Sequence, residues 1–344
     1  MQRKRQEYIA RLEKLRRSRV ISYITSDRQG PVNARIAMDV IPIMSQHLRA
    51  MGKVKAIDLF LYSAGGDTMV PWRLVSMIRE YCDTFSILIP YKAHSAATMI
   101  ALGSDEVVMS DLSELSPIDP STASIFNPPD PQKPQNRIAI SVEDVMAYFD
   151  LAKERFGIKK DEDLAKVFIK FIEATPQIHP LALGNINRTH TLIRILAKRL
   201  LKSHALQMDA EEIETIVDYF TEKLYSHQYL IGRKEAKEDL GLKTVIFADG
   251  DLARTMTALY EEYAKEIGLG ILWNAENELG DNAVQNRKDY SIAYIESLHA
   301  SCIFELTLEY KKETVNVVQQ TPHGPIQTPK EQIGFKIVSQ GWKE

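Results

Sequence analysis

The sequence predicts an α/β fold, and three observations carry that expectation. Apolar strand-like runs at residues 19–27, 55–63, 85–91 and 105–110 alternate with helical patterns at 36–51, 70–82 and 95–103. A helix-dominated stretch follows over 141–266, and alternation of apolar and polar residues returns only after about Asp289. Strands alternating with helices point to βαβ units and a largely parallel, buried sheet.

In chain order, residues 1–19 carry eight Lys and Arg against two Glu. Tyr8, Leu12 and Leu15 are spaced i, i+4, i+7, which reads as a short basic amphipathic helix. Its basic face suits either solvent or an anionic surface. The helix over 36–51 is interrupted or started late by Pro42. "AGGDTM" is a glycine turn between the strand at 55–63 and the helix at 70–82. Residues 126–137, "FNPPDPQKPQNR", hold four prolines and so few amide donors for helix or ladder, which makes them a loop. Helical patterns dominate 141–225, with starts near Ser141 and Asp161. The tail reads as an antiparallel β unit of three or four strands with a turn at Pro322–Pro325. The expected organisation is a basic helix at 1–19, a main domain at 20–268 and a β-rich appendage at 269–344, with no internal repeat.

Composition narrows the classes. With 344 residues, 44% hydrophobic and 26% charged, the chain is globular and large enough for a sizeable core, and a net charge of −3 favours no nucleic-acid partner. Only Cys82 and Cys302 are present, too few for a disulfide framework or a cysteine zinc site, which suits a reducing, cytoplasmic setting. No apolar run approaches the roughly 20 residues of a membrane span, and no secretory leader is visible. His299 and His323 lack partners at metal-ligand spacing, so neither metal nor cofactor is expected.

Three segments can carry chemistry. Ser95, in "YKAHSAATMIALG", sits where a strand hands over to a helix. A hydroxyl there suits a nucleophile beside free backbone amides, and equally an ordinary N-cap. Gly65 and Gly66, in "YSAGGD", let the backbone approach a ligand and aim amides inward, or simply make a tight turn. Asp119, in "LSELSPIDPS", is a carboxylate able to orient a histidine, or an Asx-turn residue. The first two follow successive strands, the edge where open α/β sheets bind ligands.

These segments, with "IHPLALGNINR" and "LYSHQYLIGRKEAKEDLGL", resemble the serine dehydrogenase proteinase family, relatives of the Clp protease and of signal peptide peptidase A, over roughly residues 20–245. The resemblance implies a Clp/crotonase-type fold of stacked ββα turns with a helical insertion. It also implies a serine endopeptidase with Ser95 as nucleophile and amides of Gly65, Gly66 and Ala96 as oxyanion hole, in a triad ordered Ser, Asp, His. Asp119 falls at the aspartate's place. For the histidine, His179 is the first choice and His227 the second, and either could be structural. His94 and Lys133 are weaker candidates. A protein or peptide substrate and a homo-oligomer follow by the same analogy. An acyl-thioester enzyme, or an inactive scaffold recruiting a partner through the tail, are the alternatives.

Overall fold

The computed structural model describes residues 2–118, 121–122, 125–130, 135–138, 140–174, 179–205, 207–224, 226, 229–280, 284–321 and 324–344. Helix α1 spans Gln2–Arg16 and strand β1 Arg19–Thr25; α2 is Val40–Met51, β2 Val54–Tyr62, α3 Val70–Arg79 and β3 Cys82–Ile89. A short β4 (Lys92–Ala93) leads into α4 (Ala96–Leu102), then β5 (Glu106–Met109) and β6 (Glu114–Leu115). The pair β7 (Ser121–Thr122) and β8 (Ile140–Ser141) precedes helices α5 (Val142–Asp150), α6 (Asp161–Ala174), α7 (Pro180–Lys202) and α8 (Ala210–Asp218). Strands β9 (Ile231–Gly232) and β10 (Val245–Phe247), helices α9 (Gly250–Ile267) and α10 (Ala275–Leu279), and strands β11 (Gln285–Glu296), β12 (Ser301–Thr321) and β13 (Gly324–Lys343) complete the chain.

The central sheet has eight strands in the order β10-β5-β3-β2-β1-β11-β12-β13. Its first five strands are parallel, as the alternation predicts, and β11 to β13 are antiparallel. The tail therefore continues the main sheet by pairing β11 with β1. Helices cover both faces of the parallel strands, so alternate side chains enter two different cores. Ile21, Tyr23, Leu59, Leu61, Phe85 and Ile87 pack with α2, α3, α4, α7 and α8. Val20, Ile24, Phe60, Tyr62, Leu88 and Val108 pack with α1 and α9. Burial on both sides is why these strands read as unbroken apolar runs, and truncating Leu59 or Phe60 to Ala would cost about 2–5 kcal/mol.

Two expectations change in detail. Helix α2 starts at Val40, which places Pro42 in the first turn, where its missing N–H has no helical acceptor to lose. The buried face of α1 is Arg5, Ile9, Leu12 and Glu13, whereas Leu15 is 41% exposed. Arg5 is buried because Glu296 of β11 accepts its Nε and Nη2 at 2.7 and 3.0 Å, Glu266 of α9 pairs with its Nη1, and the Tyr263 and Tyr294 rings flank it at 5.1 and 4.9 Å. Among the described residues, no helix is long and apolar enough to cross a membrane.

Candidate active site

Strand ends create the site. β1, β2, β3 and β5 run parallel, so the segments after Thr25, Tyr62, Ile89 and Met109 emerge on one edge of the sheet. There the chain after β2 bridges β4 at Ser63 and Ala93: Ser63 N–H donates to the Lys92 carbonyl and His94 N–H to the Ser63 carbonyl, each at 3.0 Å. β4 pairs on its other side with β6, and β6 with β9, in a small second sheet. The two residues after β4 are His94 and Ser95, held from both sides before α4 begins.

Ser95 occupies the position before the first residue of α4 with φ 51° and ψ −113°. Its hydroxyl makes no capping bond, and it has no hydrogen-bond partner among the described residues. An N-cap serine has an extended backbone and an engaged oxygen, so Ser95 is not one. A positive φ at a residue with a side chain costs about 1–3 kcal/mol and persists only where its surroundings impose it. Here they do: Ser95 N–H donates to Ser116 Oγ at 2.8 Å, Ser116 N–H to Thr98 Oγ1 at 3.1 Å, and Thr98 Oγ1 to the Ala93 carbonyl at 2.7 Å. The Ala97 amide donates to the His94 carbonyl at 2.9 Å. A strained strand-to-helix turn that presents a free hydroxyl is the form of a nucleophile elbow.

The glycine turn lies directly against it. Gly65 has φ 101°, and a Cβ there would stand 2.7 Å from the His94 carbonyl oxygen, 2.9 Å from Ser95 Cβ and 3.3 Å from Ala96 N. Gly66 bridges Ile36, whose backbone would collide with any side chain at 66. Both positions thus exclude a Cβ for different reasons. Gly65 N–H donates to Ser63 Oγ at 3.0 Å, and Thr25 Oγ1 donates to the same oxygen at 2.8 Å. The amides of Gly66 and Ala96 have no acceptor among the described residues. One free hydroxyl and two uncommitted amides therefore meet on the edge where the sequence places the site.

The remaining sequence candidates are less concentrated. His179 is exposed and caps α7, its Nδ1 accepting the Leu181 amide at 3.1 Å, with its ring 5.1 Å from that of Phe126. An acceptor Nδ1 puts the proton of a neutral ring on Nε2, so in this arrangement the lone pair is committed to the cap. Asp119, His227 and Lys133 lie outside the described residues. His94 meets β6, with Nε2 and Glu114 Oε1 3.1 Å apart. Burial raises the Glu114 carboxyl above its ordinary range against the opposing pull of Lys92, whose Nζ bonds Asp27 at 2.7 Å. Sequence reasoning did not single out Ser116, Thr98 or Glu114, although Glu114 and Ser116 fall within the quoted "LSELSPIDPS". Serine and glutamate in a loop carry no periodic signal. No group of three or more metal-binding side chains is found among the described residues.

Comparisons with known proteins bear on this geometry. Two uncharacterized proteins of Methanocaldococcus jannaschii are similar to the chain. One is 24% identical over 237 residues, which is 69% of this chain and 68% of the relative. The other is 22% identical over 183 residues, which is 47% of this chain and 63% of the relative, so the chain spans just under two thirds of that relative's length. Among solved structures, a methylmalonyl CoA decarboxylase matches at 14% identity and a TM-score of 0.23, covering 71% of this chain and 93% of that one. The model of the ClpP-like SDH-type serine proteinases matches residues 1–169, the span that holds Ser95, Gly65 and Ser116. That is the family its sequence motifs resemble, and the match covers just under half of the chain.

Proposed function

We propose that the protein is a serine peptidase that hydrolyses peptide bonds through Ser95. The observation that carries this reading is the Ser95 turn itself, strained at φ 51° with a hydroxyl that caps nothing and a glycine pair packed against it. Ser95 Oγ attacks the scissile carbonyl while a base takes its proton. The oxyanion that forms is met by the Ala96 amide and the glycine turn, where the Gly66 amide is the uncommitted donor. Collapse expels the amine, which takes the proton back from the base. Water, deprotonated by the same base, then releases the acyl group and restores Ser95.

His179 and His227 are the proposed bases, and Asp119 the carboxylate that orients the ring. His179 can serve only after its Nδ1 releases the Leu181 amide or the ring turns. A homo-oligomer is part of the same reading, supported by exposed Phe156, Phe168 and Ile169 in the helical region.

The test is labelling of the purified protein by a fluorophosphonate, with the modified residue located by mass spectrometry and Ser95→Ala, His179→Ala and His227→Ala alongside. Labelling at Ser95 that is lost in Ser95→Ala and in one histidine variant is expected, and names the base. Peptide hydrolysis that survives Ser95→Ala would overturn the reading.

A further inference from the structure

Two consecutive residues of the site are held by Glu114 of β6 and by Ser116, the residue that follows β6. Ser116 Oγ accepts the Ser95 amide at 2.8 Å, and Glu114 Oε1 lies 3.1 Å from His94 Nε2. Residues two apart along an extended chain project to the same side, so Glu114 and Ser116 reach β4's continuation together. The backbone contact of Ser116 acts on Ser95 directly. The side-chain contact of Glu114 acts one residue earlier, on the residue whose carbonyl oxygen accepts the Ala97 amide and limits the space at Gly65. His94 is thus the hinge between the fixed β4 strand and the strained turn. Among the described residues, the charged groups beside the pair include Lys92 on β4, which opposes protonation of Glu114, and Asp27 after β1, which holds Lys92. The His94 ring meets Glu114, and the Ser95 hydroxyl caps nothing.

We propose that Glu114 and His94 form a positioning pair, in which the carboxylate fixes the His94 ring and thereby the backbone that keeps Ser95 in its reactive conformation. This inference rests on the peptidase reading for its consequence, since the fixed conformation matters through the rate at which Ser95 reacts. Loss of the pair leaves the substrate's other contacts in place, so it lowers the chemical rate constant and leaves apparent affinity alone. Glutamine at 114 still offers an oxygen to Nε2–H and keeps the tie, whereas alanine removes it.

The experiment compares full-length wild type with Glu114→Ala, Glu114→Gln and His94→Ala, the last breaking the tie from the other side should Glu114→Ala fold poorly. Two quantities are read: hydrogen exchange of peptides covering residues 92–99, and fluorophosphonate inactivation resolved into its limiting rate and half-saturation concentration. The expected result is faster exchange and a limiting rate reduced about tenfold in the two alanine variants, with half-saturation unchanged and Glu114→Gln close to wild type. Exchange and limiting rate that are unaltered in both alanine variants would overturn the proposal, as would a Glu114→Gln protein as impaired as Glu114→Ala. A wild type that takes no label at Ser95 removes the peptidase reading alone. In that case the exchange comparison still decides the positioning role, upheld by faster exchange in the alanine variants with Glu114→Gln unchanged, and rejected by equal exchange.

Discussion

The parallel strands β1, β2, β3, β5 and β10 and the antiparallel strands β11 to β13 share one sheet, yet the two sets treat polar groups in opposite ways. At the end of the parallel strands, the Ser95 hydroxyl and the Gly66 and Ala96 amides are left without partners among the described residues. At β11, Glu296 is fully buried and saturated: its oxygens accept Arg5 Nε at 2.7 Å, Arg5 Nη2 at 3.0 Å, Tyr263 Oη at 2.6 Å and Ser301 Oγ at 2.7 Å. Buried charge is tolerated where every lone pair is met, and breaking such a set leaves an unpaired ion. The difference separates a region whose buried carboxylate is met from one that keeps backbone strain and open valences.

That separation can be broken by experiment. The largest effect is expected from Glu296→Ala, which leaves buried Arg5 with Glu266 alone, removes the acceptor of Tyr263 and Ser301, and should lower unfolding free energy by about 3–5 kcal/mol, measured by urea denaturation. The labelling rate of the molecules that remain folded should be unchanged, and a large drop would show that the two regions are not separate. Gly65→Ala comes next, at about 2–4 kcal/mol, because it combines a positive φ with contact against His94 and Ser95. It should also abolish labelling of Ser95.

A pH effect belongs to the stable region. His47 is buried with Nδ1 2.9 Å from Ser297 Oγ, and burial lowers its pKa to about 4, with Glu296 opposing and His299 assisting the shift. The unfolded chain binds this proton near its ordinary value of about 6.5. Stability from this group is therefore complete above about 6.5 and is lost as pH falls toward 4, by about 1–3 kcal/mol in total. His47→Gln should flatten that slope in denaturation curves collected across the window. The smallest effect has the opposite sign: Ser95→Gly relieves the strained φ and should stabilise the fold by about 1 kcal/mol while removing all labelling. A destabilised Ser95→Gly protein would mean that the turn is not strained at this residue.

Much of the parallel half was legible because burial on both faces writes itself into the sequence. β2 and β3 appear as "LFLY" and "FSILI", and the helices between them follow at the short spacing of βαβ units. Ser95 and the Gly65–Gly66 turn were legible for a related reason, since strand-to-helix junctions mark one edge of such a sheet. What holds them was not. The Ile36 backbone against Gly66, Ser116 beneath the Ser95 amide and Glu114 beside His94 are tertiary contacts without periodicity. The tail was correctly read as antiparallel, but its pairing with β1 joins residues about 270 positions apart, which no local pattern encodes. Arg5 misled in the same way. In "RKRQEYIARLEK" it looks like one more solvated cation, and only its partners far along the chain, Glu266 on α9 and Glu296 on β11, explain its burial.

The Arg5–Glu296 tie also constrains how the protein is made. Its two ends are separated by 291 residues, and β1 has β11 as its neighbour on the side away from β2. A ribosome adding about 5–20 residues per second needs roughly 15–60 s to travel from one to the other. By the end of that interval Ser95 and the glycine turn have long been made, while β1 still shows a bare edge and Arg5 has only Glu266, not Glu296, to meet its charge. Translation order thus delays the finished core, and a chain interrupted before Glu296 leaves the ribosome with an unsealed sheet exposed to quality control.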